Sequence, residues 1–302
     1  MKMITSLSKP FLAILVMTTV FIASCKKDQT ATPTENASET VSDATDEANA
    51  ETQFDDVFNS TVGIDDATAG EDLGIGGNIG MGIFSSANTG TGLREDSTHE
   101  RCFTVTVTPK AHGVFPKTVT IDFGNGCLGR DGKLRKGKII TVYTGKMHIP
   151  GSKATTSFDG YMVDSFQVEG THVVQNVSSS NQRAWNRKVI DGKITNTNSG
   201  KWVTWSCDKT HTQVEGNGTP FYPFDDIFNI TGSAKGEKSN GNSWTAEIST
   251  PLVRKFICYW IVSGTVNISH NGVSGVLDYG NGECDNKATI TVNGVVKDIT
   301  LR

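Results

Sequence analysis

Apolar and polar residues alternate along most of the chain after Cys102. The runs at 103–107, 118–121 and 138–143 are rich in Val, Ile, Thr and aromatic residues, and this alternation is typical of strands with one buried face. Between runs stand pairs that favour two-residue hairpin turns: Asp191-Gly192, Asn271-Gly272 and Asn293-Gly294. The pattern predicts an all-β fold, an antiparallel meander of about ten to twelve strands closed as a sandwich or barrel, preceded by a disordered linker.

The amino terminus has the pattern of an export signal. Two lysines give it positive charge, and the apolar run at 11–23 is shorter than the roughly 20 residues that a membrane-spanning helix needs. Small residues follow, and Ile22-Ala23-Ser24-Cys25 resembles the lipobox of bacterial lipoproteins. We predict that residues 1–24 are removed and that lipid on Cys25 anchors the chain to a membrane. A plain secretory signal with a chance cysteine is the alternative.

Composition divides the remaining chain into a tether and a body. Residues 26–73 hold thirteen acidic residues and two lysines, and glycine is frequent from 63 to 92. Segments of this kind bury too little apolar surface to offset chain entropy. We therefore predict an acidic and Gly-rich disordered tether over 25–97 and a β domain over 98–302.

One apolar cluster interrupts the predicted tether. Phe54, Val57 and Phe58 have the spacing of one helix face. This spacing predicts a short amphipathic helix near residues 52–60 that docks on the body.

A glycine-rich motif occurs twice in the body. Residues 121–127 read IDFGNGC, and residues 277–284 read LDYGNGEC with one extra residue, Glu283. The two motifs are 156 positions apart, and so are the cysteines that precede them, Cys102 and Cys258. Glycines tolerate positive φ and the preceding Asp can bond to the turn, so both copies are predicted to form the same turn.

The repeat also predicts how the cysteines pair. We expect two disulfides: Cys102–Cys127 and Cys258–Cys284. If Asn271-Gly272 is a hairpin turn, the second pair lies nearly opposite across it, one position out of register, and Glu283 is a bulge that absorbs the slip. An oxidising compartment outside the cytoplasm permits such bonds. Cys207 is left over and is predicted to be a buried, inert thiol.

Calcium binding is the alternative role of the repeated motif. The oxygen ligands would be Asp122, Asn125 and Asp131 in the first copy and Asp278, Asn281, Glu283 and Asp285 in the second. Their spacing does not match the twelve-residue loop that places calcium ligands at fixed positions. We therefore predict structural turns, and neither a metal nor another cofactor.

Three segments resemble a known family. They are FPKTVTIDFGNGCLGRDGKLRKGKI, the run TPLVRK at 250–255 and the ending LDYGNGECDNKATITVNGVVKDITLR, and they resemble an uncharacterised family of Bacteroidota lipoproteins. The resemblance covers most of residues 100–302. It implies a β protein that faces the cell surface or the periplasm, and it implies no activity and no residue roles.

The sequence shows no catalytic constellation. The six histidines lack metal-ligand spacing, no nucleophile elbow is present, and adjacent acidic residues on a strand point to opposite faces. We predict a non-enzymatic, lipid-anchored protein of the outer membrane that binds a ligand or partner or serves structurally. An extracellular, glycan-directed hydrolase with carboxylates on loops is the alternative.

Basic residues crowd the segment after the first motif: Arg130, Lys133, Arg135, Lys136 and Lys138. Several cations on one loop attract phosphate or anionic sugar. The predicted partners are therefore an anionic envelope polysaccharide or another envelope protein, besides the membrane. An ordinary solvated hairpin turn is the alternative, and export with modest net charge argues against nucleic acid.

Overall fold

A computed structural model of the chain describes residues 33–63, 73–74, 102–129, 132–219 and 225–301. This part of the chain contains the helix α1 (Pro33–Val62). Its strands are β1 (Thr104–Thr108), β2 (Lys117–Asp122), β3 (Cys127–Leu128), β4 (Leu134–Tyr143), β5 (Lys153–Val163), β6 (Phe166–Asn176), β7 (Ala184–Asn196), β8 (Trp202–Glu215), β9 (Ile227–Lys238), β10 (Ser243–Lys255), β11 (Ile261–His270), β12 (Val273–Asn281), β13 (Lys287–Val292) and β14 (Val295–Thr300).

The strands form one antiparallel sheet. Thirteen of them follow chain order from β1 to β14, and the two-residue strand β3 pairs with β4 off this path. The predicted all-β antiparallel meander is confirmed. The sheet has fourteen strands where about ten to twelve were expected, and its order is open, with β1 and β14 at the two ends.

Two of the three expected hairpin pairs form tight turns. Asn271 and Asn293 have φ values of 46° and 51°, and each is followed by a glycine with positive φ, as two-residue hairpin turns require. The structure differs at Asp191-Gly192, which lies inside β7 and not between strands. The register of β7 against β8 shifts between Val189 and Gly192, so this pair marks a bulge in a continuous strand.

The two motif copies form matching turns that disulfides brace. Asp122 Oδ1 accepts a hydrogen bond from the Gly124 amide at 2.8 Å, and Asp278 Oδ1 accepts one from the Gly280 amide at 2.8 Å. Both cysteine pairs expected from the repeat are joined. The register slip near the second disulfide lies between β11 and β12, where Tyr279 and Gly280 stand opposite the single residue Gly264, and not at Glu283.

Residues 33–63 differ from the expectation of a disordered linker, because they form α1 and its last turn. Residues 52–60 belong to this longer helix. Residues 50–58 are all buried. The helix packs against two groups of strands, β5–β8 and β10–β13, which lie in different parts of the sheet. The sheet thus curves around α1, and this burial supplies the stability that the isolated segment would lack. No helix in the described residues has the length and apolar character needed to cross a membrane.

Candidate functional site

The most concentrated chemistry in the structure is an acidic stripe on α1. Its carboxylates recur every four residues: Glu39, Asp43, Glu47, Glu51 and Asp55. Residues four apart on a helix share a face, so these side chains form one line along α1. The helix carries eight acidic residues and no basic one. It therefore needs cationic partners wherever its acidic face is buried.

The concave face of the sheet supplies those partners. Buried cationic or ionisable side chains project toward α1 from six strands: Arg135 on β4, Arg187 on β7, Lys209 on β8, Lys238 on β9, Arg254 on β10 and His270 on β11. We call this surface the cationic groove. Alternate residues of a strand face the same side, so one inward position on each strand is enough to build it.

The centre of the groove holds Glu51 and Asp55. Arg187 donates from Nη2 to Glu51 at 2.6 Å and from Nη1 to Asp55. Arg254 also donates to Asp55, and Lys209 donates to Glu51. Each carboxylate thus has two cationic partners, and all five side chains are less than 10 % exposed.

Asp56 faces the other side of α1 and has its own partners. Arg135 binds it through two hydrogen bonds, from Nε at 3.1 Å and from Nη2 at 2.6 Å. The Tyr161 hydroxyl donates a third at 3.1 Å. The paired Arg–carboxylate geometry is the strong, directional kind. Arg135 and Arg254 therefore clamp neighbouring carboxylates of α1 from two separate parts of the sheet.

The first half of the acidic stripe meets Lys238 and His270. Lys238 Nζ lies 2.5 Å from Asp43 and 3.2 Å from Glu39, and His270 Nδ1 lies 2.8 Å from the other oxygen of Asp43. Asp46 is farther away, 3.6 Å from Lys238. Burial raises the pKa of Asp46 to about 6, and Lys238 offsets only part of this effect. This end of α1 is held less completely than its centre.

Neutral donors complete the contacts of α1. Trp205 Nε1 and Trp244 Nε1 both donate to Glu47 Oε2, at 2.7 and 3.1 Å. The Tyr143 hydroxyl donates to the Thr61 carbonyl at 2.7 Å, at the last turn of the helix. Indole and phenol donors of this kind give a buried carboxylate or carbonyl a partner without adding charge. They also fix the rotation of α1 in the groove.

Burial and charge act in opposite directions on the central carboxylate. Burial alone raises the pKa of Glu51, but the attraction of Arg187 and Lys209 outweighs it and lowers the pKa to about 2. Glu51 is therefore ionised at neutral pH. Its negative charge is paired with two cations of the same chain. This pairing fixes the position of α1 and makes Glu51 unsuited to acid–base chemistry.

Two buried histidines lie under the same helix. His172 stacks on Phe54 with ring centroids 6.4 Å apart, and His211 stacks on Phe58 at 4.6 Å. Burial, helped by the charge of Arg187, lowers the pKa of His172 to about 3 and that of His211 well below its usual value. Neither ring nitrogen of His172 has a hydrogen-bond partner in the described structure. Both rings act as neutral packing surfaces at pH 7.

The predicted anion-binding cluster is divided in the structure. Arg135 is fully buried and bound to Asp56, so its assignment as an exposed anion-binding residue is wrong. Lys133 Nζ lies 4.3 Å from the ring centroid of Tyr259 and donates to its hydroxyl, and Lys138 lies 3.5 Å from the Asp122 carboxylate. Lys136 is half-buried. Arg130 lies outside the described residues, as does Cys25.

The remaining predicted residues are structural. The four paired cysteines brace the two turns, and Cys207 is a buried thiol whose pKa burial raises to about 11. That thiol stays protonated, as expected of an inert cysteine. In the described residues no group of three potential metal ligands converges. The motif carboxylates Asp122 and Asp278 instead accept backbone amides of their own turns.

Sequence reasoning missed the acidic stripe and its cationic partners. A signal was present, because the stripe repeats every four residues over most of α1. On β8, Lys209 stands between Cys207 and His211 at inward-facing spacing, which is unusual for a solvated lysine. No family model, curated protein or solved structure matches the chain.

Proposed function

We propose that the mature chain is a lipid-anchored protein of the cell envelope, held at the outer membrane through Cys25. Its β domain would serve by binding a partner or as structure, and not by catalysis. The export pattern and lipobox resemblance of the amino terminus support the anchor. The two disulfides support it too, because such bonds persist in oxidising compartments.

The observation that carries the non-catalytic role is the ionic network around α1. Four carboxylates of α1 are buried and bound to cations of the same chain: Asp43, Glu47, Glu51 and Asp56. A glycoside hydrolase needs two carboxyl groups about 5–10 Å apart that reach the substrate. Glu51, with its pKa held near 2, is the opposite of a carboxyl group prepared to donate a proton.

Only a short stretch of chain connects the proposed anchor to α1. Seven residues, 26–32, separate Cys25 from Pro33. Fully extended, this stretch of chain spans only about 25–30 Å. A pull on the lipid anchor is therefore passed to α1, and α1 is held by Arg187, Arg254 and Arg135. The β domain would stay close to the membrane surface and would not stand off at the end of a long tether.

The binding surface that remains from the basic cluster is small. Lys133 lies on the turn that follows the first disulfide and is packed on Tyr259, and Lys136 lies near the start of β4. A cation held on an aromatic ring near a second cation offers an anionic sugar both charge and a packing surface. The proposed partner is therefore an anionic envelope polysaccharide or another envelope protein that carries acidic groups.

The anchor is tested by comparing the wild-type chain with Cys25→Ser in the native host. We expect the wild type in the membrane fraction with acyl mass on Cys25, and the variant in the soluble envelope fraction. A Cys25→Ser protein that remains in the membrane fraction would contradict the anchor.

The binding role is tested separately on an alginate column with Lys133→Ala/Lys136→Ala. Arg135 is left intact because the fold uses it. Weaker retention than the wild type is expected, with Lys188→Ala on the outer face of β7 as the matched charge control. Equal retention of all three proteins would dismiss Lys133 and Lys136 as a binding surface.

A further inference from the structure

Side chains of the sheet bind α1 much as a protein binds a ligand. We propose that the cationic groove also accepts α1 from a second copy of the chain, so that two copies exchange helices reciprocally. The groove would then be a recognition site for one acidic helix, and the dimer would contain two complete groove–helix units. The proposal stands on the contacts of α1 and does not require lipid on Cys25.

Charge complementarity identifies the occupant. The helix has eight acidic residues and no basic one, and the groove meets it with five Lys or Arg side chains and His270. Removing a buried partner is costly because it leaves a charge unpaired. A neutral helix would therefore leave the groove with uncompensated cations. A helix whose acids were shifted by one or two positions would leave the same defect, so the groove favours α1 and its copies.

The segment that forms α1 can also stay in solution outside the groove, where it would not be helical. Its net negative charge and its many Glu, Asp, Ser and Thr residues give it little apolar surface to hide from water. Its large buried apolar side chains are concentrated near its end, at Phe54, Val57 and Phe58. A segment of this composition can leave one groove and fold into another without forming an aggregating intermediate.

The chain connection does not dictate which copy supplies α1. Beyond Gly63, the next described residues are Leu73 and Gly74, and the Met147 amide donates to the Leu73 carbonyl at 2.7 Å. Twenty-seven residues, 75–101, then precede Cys102. At about 3.3 Å per residue they can span up to ~90 Å, so residues 33–74 can belong to a neighbouring copy while the sheet stays unchanged.

Because the contacts are the same within one copy and between two, local concentration decides which arrangement is populated. Exchange of an identical element between protomers is a low-cost route to a dimer. A helix in the same chain has the advantage of a high effective concentration, which falls as the connection becomes longer. Crowding of copies in one membrane plane would shift the balance toward exchange.

The test places the two cysteines of one contact on two different chains, so that neither chain can form the bond by itself. Thr61 Oγ1 on α1 lies 3.3 Å from Thr156 Oγ1 on β5, and both side chains are buried. Full-length Thr61→Cys and Thr156→Cys chains, with different tags, are co-expressed and oxidised. We expect a covalent heterodimer joined through positions 61 and 156, identified by peptide mass, because that bond forms only when α1 of one copy occupies the groove of the other.

Two controls make the result decisive. Thr155→Cys is the matched partner, because Thr155 is next to Thr156 on β5 but points to the other face; its heterodimer yield with Thr61→Cys should be at least tenfold lower. The double variant Thr61→Cys/Thr156→Cys should close within one chain. Equal heterodimer yields with positions 155 and 156 would overturn the exchange. A double variant that does not close would overturn the placement of α1 on which it depends.

Discussion

Arg187 and Lys188 are neighbours on β7, and each forms an ion pair, but they face opposite sides of the sheet. Arg187 binds Glu51 of α1 at 2.6 Å, with the side chains 0 % and 3 % exposed. Lys188 binds Asp208 of β8 at 2.8 Å, with the side chains 48 % and 56 % exposed. The chemistry is alike, and the surroundings differ. The concave face uses charge to position a helix, whereas the outer face carries charge mainly for its solubility in water.

This difference explains how a polar helix can be the centre of the fold. Water screens the outer pair, so its contribution to stability is small, about 0–1 kcal/mol. In the groove, desolvation makes any unpaired charge costly, so α1 fits only in the register that pairs Glu51 and Asp55 with their cations. Buried ion pairs thus act more through specificity than through net stability.

The largest expected effect comes from breaking the inner pair. Arg187→Met should lower the free energy of unfolding by about 3–5 kcal/mol, because it removes one cation from both Glu51 and Asp55 in a desolvated site. Urea unfolding measures this directly. Lys188→Met is the matched control on the adjacent residue and should cost less than about 1 kcal/mol. Equal losses in the two variants would show that the groove is hydrated and that the two faces do not differ.

A smaller effect is expected from pH. The folded pKa of His172 is about 3, below the unfolded value of 6.5, so only the unfolded chain takes up this proton between those values. Stability should therefore fall as pH drops from 6.5 toward 3. His172→Phe keeps the stack on Phe54 and should remove up to about 2 kcal/mol of the loss between pH 7 and pH 5.

Asp46 acts in the opposite direction, which is why the variant has to be compared with the wild type at each pH. Its pKa is raised from 3.8 to about 6, so the folded chain takes up its proton first and gains stability as pH falls through that range. This contribution is common to both proteins and cancels in the difference. Parallel pH profiles for wild type and His172→Phe would contradict the neutral, buried state of His172.

The smallest expected effect concerns salt and the outer face. The difference in unfolding free energy between wild type and Lys188→Met should shrink toward zero between about 0.05 M and 1 M NaCl, because salt screens exposed pairs. The corresponding difference for Arg187→Met should change little, since ions do not enter the groove. A large salt dependence of the difference between wild type and Arg187→Met would contradict a groove that excludes ions.

The local features of the fold could be predicted from the sequence. Alternation in 103–107 and the turns at Asn271-Gly272 and Asn293-Gly294 depend on neighbours in the chain, and they appear as expected. The cysteine pairs followed from the repeat because their loops span only 25 and 26 residues. These features depend on residues that are close together in the chain, so one sequence is enough to predict them.

The groove could not be predicted in the same way. Composition alone describes what α1 would do in water, and in water it would not hold a helix. Its partners lie far along the chain: 79 residues separate Asp56 from Arg135, and 199 separate Asp55 from Arg254. Arg135 was predicted to belong to a surface cluster for the same reason: its partner, Asp56, is too far away in the chain to be recognised from the sequence.

The central claim is that α1 is held inside the sheet by paired charges, and hydrogen exchange of its backbone amides tests this most directly. We predict that amides of residues 50–58 exchange as slowly as those of β7 and β8, because all of these residues open only when the fold opens. In Arg187→Met the helix amides should lose protection before those of the strands. Helix amides that exchange at the rate of an unfolded chain in the wild type, while the strands stay protected, would contradict the claim.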